Sequence, residues 1–349
     1  MNKDLNLFDT IKLGSRYINA KLFGKRVPLI VSWALTYRCN HKCVYCNLWK
    51  KEEKELTTQQ VFGIIDELNL SGTQYISFTG GEPLVREDIG SIINYALSKN
   101  IKVRVNSNGS LVNEKIDSLK GIDKLNISLN GPEEIHDSIS GKGSFKQAIT
   151  AVETAQKNGI KVAFITVLSR ININSLDFVL LKAKQYGVKV NFQPVTREIL
   201  GTQVENTVIP DKEQYQRAIN MLQNIKKLNS GLISNTLPGL NYLSLYPKGK
   251  AIKCASGWLS CRIEPDGSMV HCSRKPENST NCTIESVGKA FSNLHDKVCE
   301  NCWCSTRVEL NMQWSYGKFN FLSGFKSTFT TEPDKYCDYG IKNGEIKAG

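Results

Sequence analysis

The chain has 349 residues, 45 Lys and Arg against 33 Asp and Glu, and a formal net charge of +12. With 40% hydrophobic and 22% charged residues its composition is globular rather than disordered, and the length predicts about two domains with a core that needs no disulfide staples. The longest apolar run, Val27 to Leu35, is far short of the ~20 residues of a spanning helix, and Met1 to Asp9 carries Lys3, Asp4 and Asp9 without an apolar signal core, so a cytoplasmic, unsecreted protein is expected.

The first predicted element is a basic amphipathic segment, residues 1–27. Leu7, Ile11, Ile18 and Leu22 recur at near-helical spacing from Leu5 to Arg26, among Lys12, Arg16, Lys21, Lys25 and Arg26. Two readings stand: a helix packed on the main domain with a solvated basic face, or a helix that touches a membrane surface or an anionic partner. From residue 29, strands and helices alternate. Strands are predicted over Leu29–Thr36, Tyr75–Thr79, Ile101–Val105, Leu125–Leu129, Val162–Val167 and Val188–Phe192. Helices are predicted from the Thr57 cap to Leu70, then Asp88–Ser98, Leu111–Leu119, Phe145–Lys157, Ser175–Tyr186, and from Asp211 to Leu228. Six strand–helix units in a row predict an α/β fold with a parallel sheet and right-handed crossovers. Six cannot close an eight-stranded barrel, so an open, partial (β/α)6 TIM-like barrel over 28–235 is expected, with its chemistry on the loops at the carboxyl ends of the strands. Beyond it, residues 236–349 read as a second, cysteine-rich region with sparse helices.

Eleven cysteines are an odd number in an unsecreted chain and do not suggest a disulfide framework. Cys39, Cys43 and Cys46 sit on the loop after the first strand. None lies between 47 and 253, and Cys254, Cys261, Cys272, Cys282, Cys299, Cys302, Cys304 and Cys337 follow. Three thiolates on one loop can converge on a metal: a zinc held by the cysteines and His41, or a [4Fe–4S] cube with one iron left open. The loop after the second strand reads Gly80-Gly81-Glu82-Pro83, with two glycines that permit close backbone approach and a carboxylate for a cationic group.

With CxxxCxxC after the first strand and GGEP after the second, the sequence resembles the radical SAM superfamily over about residues 28–230. The resemblance implies that Cys39, Cys43 and Cys46 bind a [4Fe–4S] cluster whose open iron chelates S-adenosylmethionine. Tyr45 matches the aromatic whose backbone meets the adenine. Gly80, Gly81 and Glu82 match the loop that holds the methionine amino group. Ser107 and Asn108 match residues near ribose and methionine, and Ser128 a serine near the methionine carboxylate. Asn130 stands where many relatives have Asp, and Thr166 and Gln193 are expected to face the same cavity. Where many relatives place an Arg for the carboxylate, after His136-Asp137, this chain has Ser140. The implied chemistry is reductive cleavage of S-adenosylmethionine to methionine and a 5′-deoxyadenosyl radical, which takes hydrogen from an unreactive C–H bond. An external donor of the flavodoxin or ferredoxin kind would supply the electron.

The second region resembles the SPASM or twitch extension of some radical SAM enzymes. Cys254, Gly267 and Cys272 have CX12GX4C spacing about a Pro265-Asp266-Gly267 turn expected to bring the two cysteines together, and Cys299 and Cys302 form a later CX2C. The simplest ligand set that this implies for an auxiliary [4Fe–4S] cluster is Cys254, Cys272, Cys299 and Cys302. With two auxiliary clusters, as in full SPASM domains, Cys261 would join the first and Cys304 and Cys337 the second, and a spare thiol such as Cys304 or Cys337 is a candidate hydrogen donor. Zinc remains an alternative here. Sulfatase-maturing relatives have Asp where this chain has Ser273, which argues against that activity. The expected substrate is a ribosomal peptide or a small natural product. The alternatives are a lipid, a sugar or nucleotide, or a noncatalytic iron–sulfur electron-transfer role. No basic-aromatic module points to nucleic acid.

Overall fold

The computed structural model describes residues 7–229, 231–272, 279–294, 298–299 and 302–315. Ser273 and Cys337 lie outside them. A first helix, α1 (Leu7–Phe23), precedes strand β1 (Ile30–Thr36). The chain then alternates through α2 (Thr58–Leu70), β2 (Tyr75–Gly80), α3 (Ile89–Ser98), β3 (Lys102–Ser107), β4 (Lys124–Ser128), α4 (Glu133–Ser140), α5 (Ser144–Lys157), β5 (Val162–Leu168), α6 (Leu176–Tyr186), β6 (Lys189–Pro194) and α7 (Lys212–Leu228). All neighbouring pairs from β1 to β6 are parallel, in sequence order, which is the partial barrel expected.

Local chemistry sets the helix starts. Thr57 and Gln60 form a reciprocal capping box at α2, and the Asp211 carboxylate caps α7 through Gln214 N. The expected helix at Leu111–Leu119 does not form; turns lead to a single 3₁₀ turn at Ile116–Leu119. Its apolar residues Leu111, Val112, Ile116 and Leu119 are spent on closing β3 to β4 against α3 instead of forming a continuous face.

Period-two alternation divides the barrel wall into two faces. Val103, Val105, Leu125, Ile127, Val190 and Phe192 are buried and pack with Ile92, Ile93, Ala148, Val152, Val179 and Leu180 of the helices. Their strand neighbours Arg104, Asn106, Asn126, Ser128, Asn191 and Gln193 line the concave face and are only half-buried. There an amide ladder crosses three strands: Asn126 Nδ2 donates to Asn106 Oδ1 at 2.7 Å, and Asn106 Nδ2 to Ser77 Oγ at 3.4 Å.

Past α7 come α8 (Leu237–Leu243), β7 (Ile252–Lys253), β8 (Ser260–Ile263), β9 (Ser268–Val270), β10 (Thr280–Asn281), α9 (Val287–Ser292), β11 (Val298–Cys299) and α10 (Ser305–Ser315). This region extends the barrel sheet. β8 pairs in parallel with β1, and β9 and β10 follow antiparallel, so the order is β10-β9-β8-β1-β2-β3-β4-β5-β6. Gly267, at φ +89°, turns the β8–β9 hairpin.

Arg16 and Lys21 of α1, and Arg26 just after it, are engaged with the fold. Arg16 Nη1 donates to the Gly72 carbonyl, Lys21 Nζ to the Trp314 carbonyl at 3.0 Å, and Arg26 to the carbonyls of Gly257 and Ser292. Tyr17 and Ala20 pack with Ala255, Leu259 and Trp314, while Ile18, Leu22 and Phe23 stay exposed. The helix is thus packed on the main domain. No helix among the described residues is long and apolar enough to cross a membrane.

Candidate active site and auxiliary cysteine region

The cysteine loop leaves the carboxyl end of β1 and is held on three sides. Gly81 N donates to Thr36 O at 2.8 Å and Glu82 N to Arg38 O at 2.9 Å, tying it to the Gly80-Gly81-Glu82 loop. Val44 N donates to Ile139 O at 3.0 Å, and Leu200 N to Tyr45 O at 3.1 Å, which fastens its far side to α4 and to the segment after β6. At its root, Tyr37 Oη donates to Glu264 at 2.8 Å, so the β8–β9 hairpin buttresses it. Arg86 also supports the root, donating to Leu35 O and Leu56 O while paired with Glu55 and Asp88.

The two glycines serve a different neighbour from the one expected. A Cβ at Gly80 would overlap Thr36 O, and one at Gly81 would overlap Arg38 O and Tyr37 O. The close approach is therefore between two loops of this chain, and it brings Glu82 against the cysteines.

Burial pushes the Cys39 and Cys46 thiols up to about 11 and raises Cys43 as well, and Cys39 is raised further by the nearby Glu82 and by the two neighbouring cysteines. Such thiols hold their protons until a metal displaces them. Among the described residues no group of three or more His, Cys, Asp or Glu side chains is already drawn into metal-ligand geometry. The donor set nevertheless suits iron–sulfur ligation: three soft thiols on one anchored loop. His41 points elsewhere, Nε2 lying 3.3 Å from Gln147 Oε1.

Glu82 is 1% exposed. Its carboxylate accepts Leu84 N at 3.1 Å, Ser107 Oγ at 3.1 Å and Asn108 N at 2.7 Å. Burial outweighs these bonds and lifts its pKa to about 7. A carboxylate so placed, with no cation bonded to it among the described residues, is suited to an ammonium group. Ser107 and Asn108 thereby act through Glu82, and Asn108 Nδ2 also reaches Asn40 of the cysteine loop at 2.9 Å.

Asn130 links three elements. Its N–H donates to His136 Nδ1 at 3.0 Å, its Oδ1 accepts Val167 N at 3.1 Å, and its Nδ2 meets Tyr45 Oη at 3.4 Å. That first bond needs an unprotonated Nδ1, and burial holds His136 down at about 4. Ser140 accepts the Cys43 thiol at 3.7 Å, so the position that lacks the expected Arg abuts the cysteine loop. Ser128 lies on the concave face, as expected. Thr166 does not: Ser128 is in register with Ile165, so the next residue turns to the helix side, where Thr166 Oγ1 donates to Leu129 O at 2.7 Å. Gln193 does face inward, and Ser305 of α10 lies 3.5 Å from its Oε1.

In the second region Cys254 feels the charges of Cys272 and Cys299, and burial raises its pKa. Cys302 is raised well above its ordinary value, first by a hydrogen bond with Cys299 and then by burial. These four are the cysteines of the simplest auxiliary set, and Cys304 lies exposed beside them. Cys261 is separate. It is in register with Val31 on the helix side of β8, 1% exposed, and its titratable neighbours are Cys282 and Arg307. The alternation of β8 thus directs Cys261 into apolar packing, where Cys282 also lies.

The sequence reading missed α10, which ties this region to the barrel. Ser305 bonds Asn191 on β6, Glu309 accepts Thr236 N at 2.9 Å and Thr236 Oγ1 at 2.6 Å, and Asn311 Oδ1 accepts Ala255 N at 2.8 Å. Its polar residues fall at every second position from 305 to 311, the alternation of a strand, so the pattern points away from the helix that forms.

Comparison with known proteins agrees with this geometry. Residues 33–183 match the Radical SAM superfamily model. The mycofactocin maturase MftC of Mycolicibacterium smegmatis is 31% identical over 257 residues, covering 71% of this chain and 65% of the relative, so the chain spans somewhat less than two thirds of that protein. MftC of Mycobacterium ulcerans is 30% identical over 262 residues, covering 71% of this chain and 69% of the relative. Among solved structures, Streptococcus suis SuiB bound to S-adenosylmethionine superposes with a TM-score of 0.65 at 15% identity, over 82% of this chain and 71% of that chain. The same protein bound to its precursor peptide SuiA gives a TM-score of 0.64 at 15% identity, over 84% and 71%. The family match over residues 33–183 and a relative 30% identical of which this chain covers 69% place the chain, with its parallel partial barrel and its CxxxCxxC and GGEP loops, in the radical SAM superfamily.

Proposed function

We propose that this chain is a radical SAM enzyme that modifies a ribosomally made precursor peptide. The observation that carries the reading is the locking of the cysteine loop onto the Gly80–Glu82 loop, which sets three thiols and one buried carboxylate around a single mouth of the barrel. Cys39, Cys43 and Cys46 would hold the [4Fe–4S] cluster. Glu82 would take the amino group of S-adenosylmethionine, with Ser107 and Asn108 holding the carboxylate in place. Tyr45, Asn130 and Ser128 would line the rest of the cofactor site. When bound, the cluster and S-adenosylmethionine supply one-electron cleavage to a 5′-deoxyadenosyl radical able to abstract hydrogen.

The chain's own part is to orient and to exclude water. The amide ladder of Ser77, Asn106 and Asn126 floors the concave face, and Ser305 of α10 meets its β6 edge. Cys254, Cys272, Cys299 and Cys302 would hold an auxiliary [4Fe–4S] cluster, and an external flavodoxin- or ferredoxin-like donor would reduce the system. The peptide substrate is favoured by the named relatives: two maturases, and a fold neighbour solved with a precursor peptide.

The test is to incubate cluster-loaded, reduced protein with S-adenosylmethionine and peptides encoded beside its gene. A peptide mass change that depends on S-adenosylmethionine is expected. If all such peptides are unchanged while a sugar, nucleotide or lipid from the same locus is altered, the peptide reading fails.

A further inference from the structure

We propose that Arg307 is a redox-tuning residue, its guanidinium held against the cysteine arms so that it favours the reduced state of the auxiliary cluster. The inference rests on the reading of Cys254, Cys272, Cys299 and Cys302 as that cluster's site.

The placement follows from one face of α10. Arg307 Nη1 donates to Ser256 Oγ, two residues after Cys254. Ser256 Oγ in turn donates to the carbonyl of His271, the residue before Cys272, at 2.8 Å. The guanidinium is thereby fixed where the two arms of the CX12GX4C segment meet. One turn further along the same face, Asn311 Nδ2 donates to Cys302 Sγ at 3.6 Å while its Oδ1 accepts Ala255 N at 2.8 Å. Positions i and i+4 share a helix face, so a single stripe of α10 touches the arms carrying Cys254 and Cys302 and reaches the arm carrying Cys272 through Ser256. Cys254, Cys272, Cys302 and Cys304 all lie within the field of the Arg307 cation.

Two physical points turn this placement into a function. First, among the described residues Arg307 forms no ion pair with a carboxylate; its bonded partner is a serine hydroxyl. Half-burying a guanidinium beside neutral thiols is unfavourable, whereas beside thiolates it is offset by charge attraction. Its placement suits an anionic centre. Second, reduction adds one electron to a cluster that four thiolates already make negative. A fixed cation stabilises the more negative form more, and net charge is a main determinant of cluster potential. Arg keeps its charge at all working pH values, so the tuning does not vary with pH.

The experiment uses the full chain with Cys39, Cys43 and Cys46 replaced by Ala, so that any remaining cluster signal comes from the second region. The midpoint potential is read by EPR during anaerobic titration with dithionite, which supplies the electron. Arg307→Gln is expected to lower the reduced-to-oxidised ratio at the original midpoint by at least about tenfold, about 59 mV for a one-electron couple. Arg307→Lys is expected to restore most of that shift. Ser256→Ala, which frees the guanidinium without removing charge, is expected to give a smaller shift in the same direction. If Arg307→Gln carries the same iron at the same potential, the proposal is overturned. If that variant does not load iron, an unchanged potential in Ser256→Ala overturns it. A parent protein with no cluster signal from this region overturns the auxiliary-site reading itself, which is a distinguishable failure.

Discussion

Glu82 and Asn108 are joined by a 2.7 Å hydrogen bond from the backbone N–H of Asn108 to the Glu82 carboxylate, across the mouths of two adjacent strands. That bond and two others favour the charged form, yet burial still raises the carboxyl from 4.5 to about 7. The sign for stability follows. The folded chain holds this proton more tightly than the unfolded chain, so the group is neutral to stability below about 4.5. It becomes a cost as pH rises to about 7, after which the cost is full. In the metal-free protein, urea unfolding should show the parent losing stability relative to Glu82→Gln over that window. Parallel pH profiles for the two proteins would contradict the assignment.

The same carboxylate should matter for cofactor affinity in the opposite sense. An ammonium beside Glu82 is a charge-assisted partner worth about 1.5–3 kcal/mol. Glu82→Gln is therefore expected to weaken S-adenosylmethionine binding to cluster-loaded protein by at least about tenfold, read by calorimetry. An unchanged Kd would remove Glu82 from the cofactor site.

Gly81 provides a test of the loop-on-loop packing. An alanine Cβ there would overlap the carbonyls of Arg38 and Tyr37, both fixed backbone atoms just before Cys39. Gly81→Ala should displace the cysteine loop and sharply lower iron content after reconstitution. Gly63, exposed in α2 with open space around it, is the control. Gly63→Ala should leave iron unchanged and add about 0.5–1 kcal/mol of stability.

Much of this arrangement could be read from the sequence because it depends on local rules. Six strands, the Thr57 and Asp211 caps, and the placement of both motif loops follow from periodicity and turn chemistry. Three features did not follow. The Thr166 side chain was misplaced because the end of β5 is set by register with β4, a non-local quantity. Cys261 looked like one more ligand because spacing alone does not say which face of a strand a residue occupies. The return of β8 to pair with β1 depends on contacts more than 200 residues apart in sequence, such as Tyr37 to Glu264, and the role of α10 on contacts 51 to 114 residues apart, such as Ser305 to Asn191.

Glu309 connects α10 to α8 through Thr236, and it is 3% exposed. Replacing it with Ala leaves the Thr236 N–H without its partner and should cost about 1–3 kcal/mol in urea unfolding. Burial raises this carboxyl too, to about 7. Glu309→Gln should therefore be less harmful at pH 8 than at pH 5, since it removes a charge that is costly only at the higher pH. Equal effects at both pH values would show that the side chain is not buried as described.

The proposed activity requires that Cys39, Cys43 and Cys46 on their locked loop support reductive cleavage of S-adenosylmethionine. The most direct measurement is 5′-deoxyadenosine production by anaerobically reconstituted, dithionite-reduced protein, alongside a chain with those three cysteines replaced by Ala. Product is expected from the parent and none from the triple variant, with about four fewer irons per chain in the variant. A parent protein with its full iron content that binds S-adenosylmethionine and yields no 5′-deoxyadenosine would contradict it.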